Sequence, residues 1–361
     1  MALLPDRILQ AGHLQDRLAP PTRPVRVLID TDTANEIDDQ FAIAWALLRP
    51  ERIRVEAITA VPFSFRHHIP ELQAAETAIR SGRKHEEHLL GGFQGWINRL
   101  HAQGRSVDDL DLVGPAEGME LSLREILRVC AACGTTPPVH RGASRYSLHD
   151  GDIVWSPAAE AIVDLARSGD GPLYIAAMGC VTNIAAALWR APEIARDIVV
   201  VWTSAYPSHA PQSVRPSLNL VQDVPAARCL FDSGVPLIYL PGYQVGAQLK
   251  ISLPEMERFV AGRGAIGALL HDLYINNPLH RMFALTDTAR RSWVIWDMIC
   301  IAWLLDPAWV PTHLTTSPVL TADLHWRKDP ARHLIREAHD IQRDEIFLDF
   351  YDCLPGGIAG A

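Results

Sequence analysis

Apolar positions along this chain fall into two alternating kinds of run. Short, nearly continuous runs occupy residues 25–30, 54–61, 173–178, 198–203 and 236–240. Longer stretches with helical spacing lie between them, at residues 37–48, 121–133, 157–167, 183–190 and 224–232. Continuous apolar runs suit strands covered on both faces, and their alternation with helices predicts parallel βαβ units. The expected fold is α/β, a doubly wound and mostly parallel sheet with helices on both faces. Residues 1–24, with prolines near their end, read as an N-terminal arm. Residues 25–350 read as a single α/β domain and residues 351–361 as a loose C-terminal tail. Residues 65–113 break the pattern: they hold His67, His68, His85, His88 and His101 and the glycine cluster GGFQG. They read as an inserted helical excursion or lid whose histidines form a solvated face. There is no internal repeat.

The first predicted strand ends in chemistry. Residues 27–47 read VLIDTDTANEIDDQFAIAWAL, which places Asp30, Asp32, Asp38 and Asp39 within ten residues at the carboxyl end of a buried strand. In open α/β sheets ligands bind beyond that end of the strands. Four carboxylates there repel one another, and burial adds to the cost. A hard cation with oxygen ligands is the usual remedy. Asp38 and Asp39 also suit a helix start by themselves, but a solvated acidic cap leaves Asp30, Asp32 and the distant Asp297 unexplained.

Composition narrows the partners. The chain is 48% hydrophobic and 21% charged, with a net charge of −9. That balance excludes a broad nucleic-acid footprint, which needs a basic face. The longest apolar stretch near the C-terminus, WVIWDMICIAWLL, is interrupted by Asp297 and is too short to span a bilayer. The N-terminal residues lack the apolar core of a signal peptide, so a cytoplasmic protein is expected. The six cysteines are irregularly spaced. Cys130 and Cys133 form CAAC, but with no second pair and no adjacent histidine they read as helix residues rather than a zinc or redox site.

Four segments, in order, resemble the inosine–uridine-type nucleoside hydrolases. Members of that family open with a strand and then D-x-D-P-G-x-D-D. Here the turn is two residues longer and the Pro-Gly is absent, as in a divergent branch with D-T-D-x-x-N-E-x-D-D. MGCVTNIAAAL from Met178, SLNLVQDVPAARCLF from Ser217 and VIWDMICIAWLLDP from Val294 resemble the family's later motifs. The resemblance covers about residues 25–307 without the excursion. It implies calcium-dependent hydrolysis of the N-glycosidic bond of ribonucleosides, giving ribose and free base. Carried over by position, Asp32, Asp39 and Asp297 ligate calcium by side chain and Thr182 by its backbone carbonyl. Asp32 also accepts the proton of the attacking water. Asp38 and Asn219 bind sugar hydroxyls, and Asp30 braces the loop. Thr182-Asn183 is also expected to cap a helix. The resemblance further implies a homodimer or homotetramer.

Three departures stand out. Trp296 replaces a histidine that many members carry before the last aspartate, so the leaving-group acid is unassigned and Trp296 is left to stack on the base. Ser217 replaces a glutamate of the sugar site, and Pro211 replaces a sugar-binding asparagine. Asn35 and Glu36 in the longer turn are candidates to replace the lost contacts. Tyr274, Asn276, Asn277 and His280, or else His209, are candidates for the base pocket. Two alternatives remain. One is a nucleoside- or sugar-binding protein on the same fold without turnover. The other is a haloacid-dehalogenase-type phosphatase with Asp30 as nucleophile, although Lys84, Lys250 and Lys328 are the only lysines and none sits in that family's downstream motif.

Overall fold

The continuous apolar runs become the inner strands of one sheet. The computed structural model describes residues 11–22, 24–82 and 92–356. The sheet's strands are β1 (Val25–Thr31), β2 (Ile53–Ala60), β3 (Val139–His140), β4 (Leu173–Ala177), β5 (Ile198–Ser204), β6 (Leu237–Pro241), β7 (Thr312–Thr316) and β8 (Leu334–Ala338). Their spatial order is β3-β2-β1-β4-β5-β6-β8-β7. Neighbours run parallel except β7, which is antiparallel to β8.

Side chains alternate between two cores. Val27 and Ile29 of β1 join one core with Phe41 and Trp45, while Leu28 joins the other with Ile175, Val200 and Trp202. Both faces are dry, which is why the runs show no polar alternation. Each such fully buried side chain, Phe41 or Ile29 for example, contributes about 1.5–3 kcal/mol. The helix Asp38–Leu47 lies against the helices Pro115–Ala132 and Met298–Leu305. All eight residues of Met298–Leu305 are buried, so the apolar stretch near the C-terminus is a core helix. No helix among the described residues is long and apolar enough to cross a membrane.

The winding positions a crevice. From β1 the chain steps outward to β2 and β3, then crosses back to β4 on the other side of β1. The loops leaving β1 and β4 therefore diverge, and the gap between them is the ligand position of an open α/β sheet.

The periphery differs from the sequence reading. Residues 11–18 of the expected arm form a helix that buries Leu14 and Leu18 in the main core. The last helix, Arg343–Cys353, runs past residue 350 and buries Tyr351, followed by buried Leu354. Within residues 65–113 the helices Ile69–Arg80 and Phe93–Ala102 pack through Leu72, Ala75, Phe93, Trp96, Ile97 and Leu100, a small apolar cluster separate from the two cores. Its described histidines form a solvated face only at His67, which is exposed. His68 is half-buried with its ring centre 3.8 Å from that of His67, and half-buried His101 has Nε2 2.6 Å from Glu76 Oε1. His85 and His88 lie outside the described residues. All six cysteines are unpaired, and burial pushes the Cys130 and Cys133 thiols up to about 11 and about 12.

Candidate active site

The carboxyl end of β1 delivers the first carboxylates. Asp30 Oδ1 accepts from Thr59 Oγ1 at 2.7 Å and from Asn183 Nδ2 at 2.9 Å. Asp30 thus ties β1 to β2 and to the helix Thr182–Arg190, and burial raises it to about 7. The turn that follows is closed by Asn35. Its side-chain amide donates to Asp32 Oδ2 at 2.8 Å and its backbone N–H to the Asp32 carbonyl at 2.9 Å. Thr31 Oγ1 donates to Asp39 and lies 2.8 Å from Thr33 Oγ1. Asp38 and Asp39 occupy the first turn of their helix, and Asp297 the N-cap position of Met298–Leu305. Both helix N-termini turn their partial positive charge toward the carboxylates.

Asp38, Asp39 and Asp297 each bring an oxygen within 4.8 Å of the others, and all three are buried. Asp32 is not one of the three, but it is buried beside them and repelled by Asp39 and Asp38. It backs onto Gly179, where a Cβ would lie 2.8 Å from Asp32 Cγ, so only glycine fits. Burial raises Asp32, Asp39 and Asp297 well above the ordinary carboxylate range, with repulsion from Asp39 and then Asp38 adding at Asp32, from Asp38 at Asp39, and from Asp38 and then Asp39 at Asp297. Burial brings Asp38 to about 6 and, with Asp38 and Asp39 adding, raises Glu36 as well. Asp32 Oδ1, Asp38 Oδ1 and Asp39 Oδ2 are buried with no hydrogen-bond partner. Unpartnered buried oxygens cost about 1–3 kcal/mol each. Acceptor-only oxygens grouped without a donor are the ligand set of a hard divalent cation, and the residues fit one.

From β4, Thr182 and Asn183 do not cap the helix. The N-cap position falls on Val181 and has no side-chain cap bond. The Thr182 hydroxyl donates to Asp223 at 2.6 Å, so its side chain is turned to Asp223. Asp223 also accepts from Ser147 N at 2.9 Å and Ala226 N at 3.0 Å, and the sequence reading gave it no role. Asn219 Nδ2 donates to the carbonyls of Met178 (2.8 Å) and Thr203 (3.1 Å), which ties together the ends of β4 and β5. The Ser217 hydroxyl is spent within the wall, accepting from Ala205 N at 2.9 Å and lying 2.8 Å from Ser204 Oγ.

Above the carboxylates lies a cavity of about 510 Å³. Asn35, Glu36, Asp38 and Asp297 form its acidic floor, while Thr203, Ser217 and Asn219 line the wall. Trp296 and Tyr243, edge to face at 5.6 Å, close one side. The excursion roofs it with Phe65, His68, Phe93, Trp96 and Arg99, joined by Phe283. None of the residues proposed for a base pocket lines it. Tyr274 donates its hydroxyl to backbone carbonyls, Asn276 pairs with Asp272, Asn277 caps the helix Pro278–Met282, and His280 packs on Trp293. His209 and Pro211 are exposed. Asp30, Asp32, Asp39 and Thr182 are fully enclosed and do not line the cavity. Asp39 lies beneath the floor, within reach of the lining Asp38 and Asp297, whereas Asp30 is turned to Thr59 and Asn183, away from the place of a phosphatase nucleophile.

A family model described as inosine-uridine preferring nucleoside hydrolase matches residues 116–333. That span holds Thr182, Asn219, Trp296 and Asp297 and leaves the aspartates of the first loop outside. The chain is 27% identical over 293 residues to the non-specific ribonucleoside hydrolase RihC of Salmonella agona (strain SL483), covering 79% of this chain and 80% of that protein. Among solved structures it is similar to a purine-preferring ribonucleoside hydrolase from Gardnerella vaginalis, with TM-score 0.58 and 19% identity over 90% of this chain and 96% of that one. It is also similar to an inosine-guanosine nucleoside hydrolase, with TM-score 0.60 and 14% identity over 91% and 98%. At these identities the structural likeness speaks for the fold.

Proposed function

Because this chain belongs to the inosine-uridine preferring nucleoside hydrolase family, we propose that it hydrolyses the N-glycosidic bond of ribonucleosides with a bound calcium ion, giving ribose and free base. The observation that carries the reading is the grouping of Asp38, Asp39 and Asp297, with unpartnered oxygens, at the floor of an aromatic-roofed cavity. Asp32, Asp39 and Asp297 would hold the ion by side chain and Thr182 by its carbonyl. When bound, the ion would lower the pKa of a water and help grip the sugar's hydroxyls.

The chain's own residues do the rest. Asp32, held by Asn35, accepts the proton of the attacking water. Asp38 accepts a sugar hydroxyl from the cavity floor. Asn219 has spent its N–H groups on the wall, so its side-chain oxygen is the sugar contact. Asn35 and Glu36 line the cavity and take the place of the absent glutamate contact. Trp296 stacks on or edges the base. Fixing the sugar from several sides holds the anomeric carbon in line with the water. The protein works in the cytoplasm, where its unpaired thiols stay reduced, as a homodimer or homotetramer.

The test is release of free base and reducing sugar from a panel of ribonucleosides, with calcium and after chelation. Calcium-dependent release supports the proposal. Calcium and ribose binding without release from any nucleoside would overturn it in favour of a non-catalytic binder.

A further inference from the structure

The cavity lacks an obvious partner for the departing base. Trp296 carries no acidic proton, and the Tyr243 hydroxyl is committed to the Pro216 carbonyl at 2.9 Å. Among the described lining residues, the cationic types are His68 and Arg99, both on the roof. Burial and the neighbouring His67 push His68 down to about 3, which disfavours the imidazolium that would act as an acid. Arg99 keeps its charge.

Its placement is firm. Trp96 Nε1 donates to the Met282 carbonyl at 2.8 Å, and Arg99 Nε to the Phe283 carbonyl at 2.9 Å. These bonds clamp the helix Phe93–Ala102 over the cavity, with Trp96 edge to face on Phe283 at 4.7 Å. No carboxylate pairs with Arg99 among the described residues. The charged group that acts on it is another cation, Arg291. The cavity is thus polarised, with carboxylates on the floor and an unpaired guanidinium among aromatic rings on the roof.

We propose that Arg99 is the catalytic residue that stabilises the leaving base as its anion. The inference rests on the hydrolase reading above. As the C1′–N bond breaks, its electron pair passes to the base nitrogen and spreads over the ring atoms facing the guanidinium. The water oxygen forms the new bond to C1′, and its proton goes to Asp32. Arg99 transfers no proton. It supplies positive charge where negative charge develops, in an apolar setting that strengthens the interaction, and the released base takes its proton from solvent.

The experiment compares inosine with 4-nitrophenyl β-D-ribofuranoside, whose nitrophenolate departs as a stable anion unaided. Arg99→Gln is expected to lower kcat for inosine about 100-fold, the loss expected for one electrostatic donor, but kcat for the nitrophenyl riboside less than about fivefold. Arg99→Lys should recover part of the inosine rate. Across a series of aryl ribosides, kcat should depend more steeply on leaving-group pKa in Arg99→Gln than in the wild type. Equal losses on both substrates would overturn the proposal, since Arg99 would then only hold the roof in place. Wild-type cleavage of the nitrophenyl riboside but not of inosine would overturn it as well. A wild type inert toward both would instead sink the hydrolase reading.

Discussion

Removing divalent cations should make the stability of this protein depend on pH with a defined sign. In the ion-free protein the floor carboxylates hold their protons more tightly than they do in the unfolded chain. Asp38 stands at about 6 against an ordinary 3.8, because it is buried. A group raised in this way adds stability that is full below pH 3.8 and is lost as pH rises through about 6. The shift of about two units corresponds to ~3 kcal/mol. For 361 residues an unfolding entropy near 2.1 cal/mol/K per residue gives ~0.8 kcal/mol/K, so the melting midpoint should fall by ~4 °C from this group alone. On the proposed function, calcium held by Asp32, Asp39 and Asp297 beside Asp38 should offset the loss. At a free concentration 1,000 times its dissociation constant it adds about 4.1 kcal/mol, or ~5 °C. The assay is differential scanning fluorimetry at pH 5 and pH 8, with chelator or with millimolar calcium. The calcium-induced rise should be large at pH 8 and small at pH 5, where protons compete for the same oxygens. An equal rise at both pH values, or none at pH 8, would refute the idea that these carboxylates form the ion's cradle.

Four substitutions probe the site further. Asp32→Asn should reduce base release by about 100-fold or more and weaken calcium binding in calorimetry; full activity would remove Asp32 as the base. Asp38→Ala should raise KM for nucleosides about 10-fold or more, the cost of a hydrogen bond to a charged group, and reduce calcium affinity less than Asp39→Ala does; an unchanged KM would reject its sugar role. Gly179→Ala would place a Cβ 2.8 Å from Asp32 Cγ. It should cost about 1–3 kcal/mol by urea unfolding and loosen the cation site, and a neutral outcome would show that Asp32 has room to move.

The sheet was readable where one force decided the outcome. In β1, β4, β5 and β6 burial on both faces leaves continuous apolar runs, and the expected strands lie within about a residue or two of the observed ones. The edge strands were not legible. β3 has two residues, and β7, THLTT, is mostly half-exposed and polar, so it carries no period to detect. The floor was legible because carboxylates at a strand end are costly wherever they occur. Thr182 and Asn183 looked like caps because their side chains often serve that role, but here long-range partners, Asp223 and Asp30, outcompete the local backbone. The roof was hidden for a different reason. The amphipathic pattern of Phe93, Trp96, Ile97 and Leu100 reveals a buried face but not what that face covers, and Arg99 beside it reads as an ordinary surface residue. Segment 282–284, which receives that helix, is more than 180 positions away and has no periodic signal.

Because the roofing helix Phe93–Ala102 and its neighbour Ile69–Arg80 cohere through an apolar nucleus of their own, the ceiling and floor of the chamber are separately built parts. Trimming Leu72 or Ile97 would slacken the grip on the aglycone while the aspartates, anchored in the sheet's crossover, kept their spacing. Evolution can therefore retune which heterocycle enters by editing one small subassembly, without renegotiating the ion.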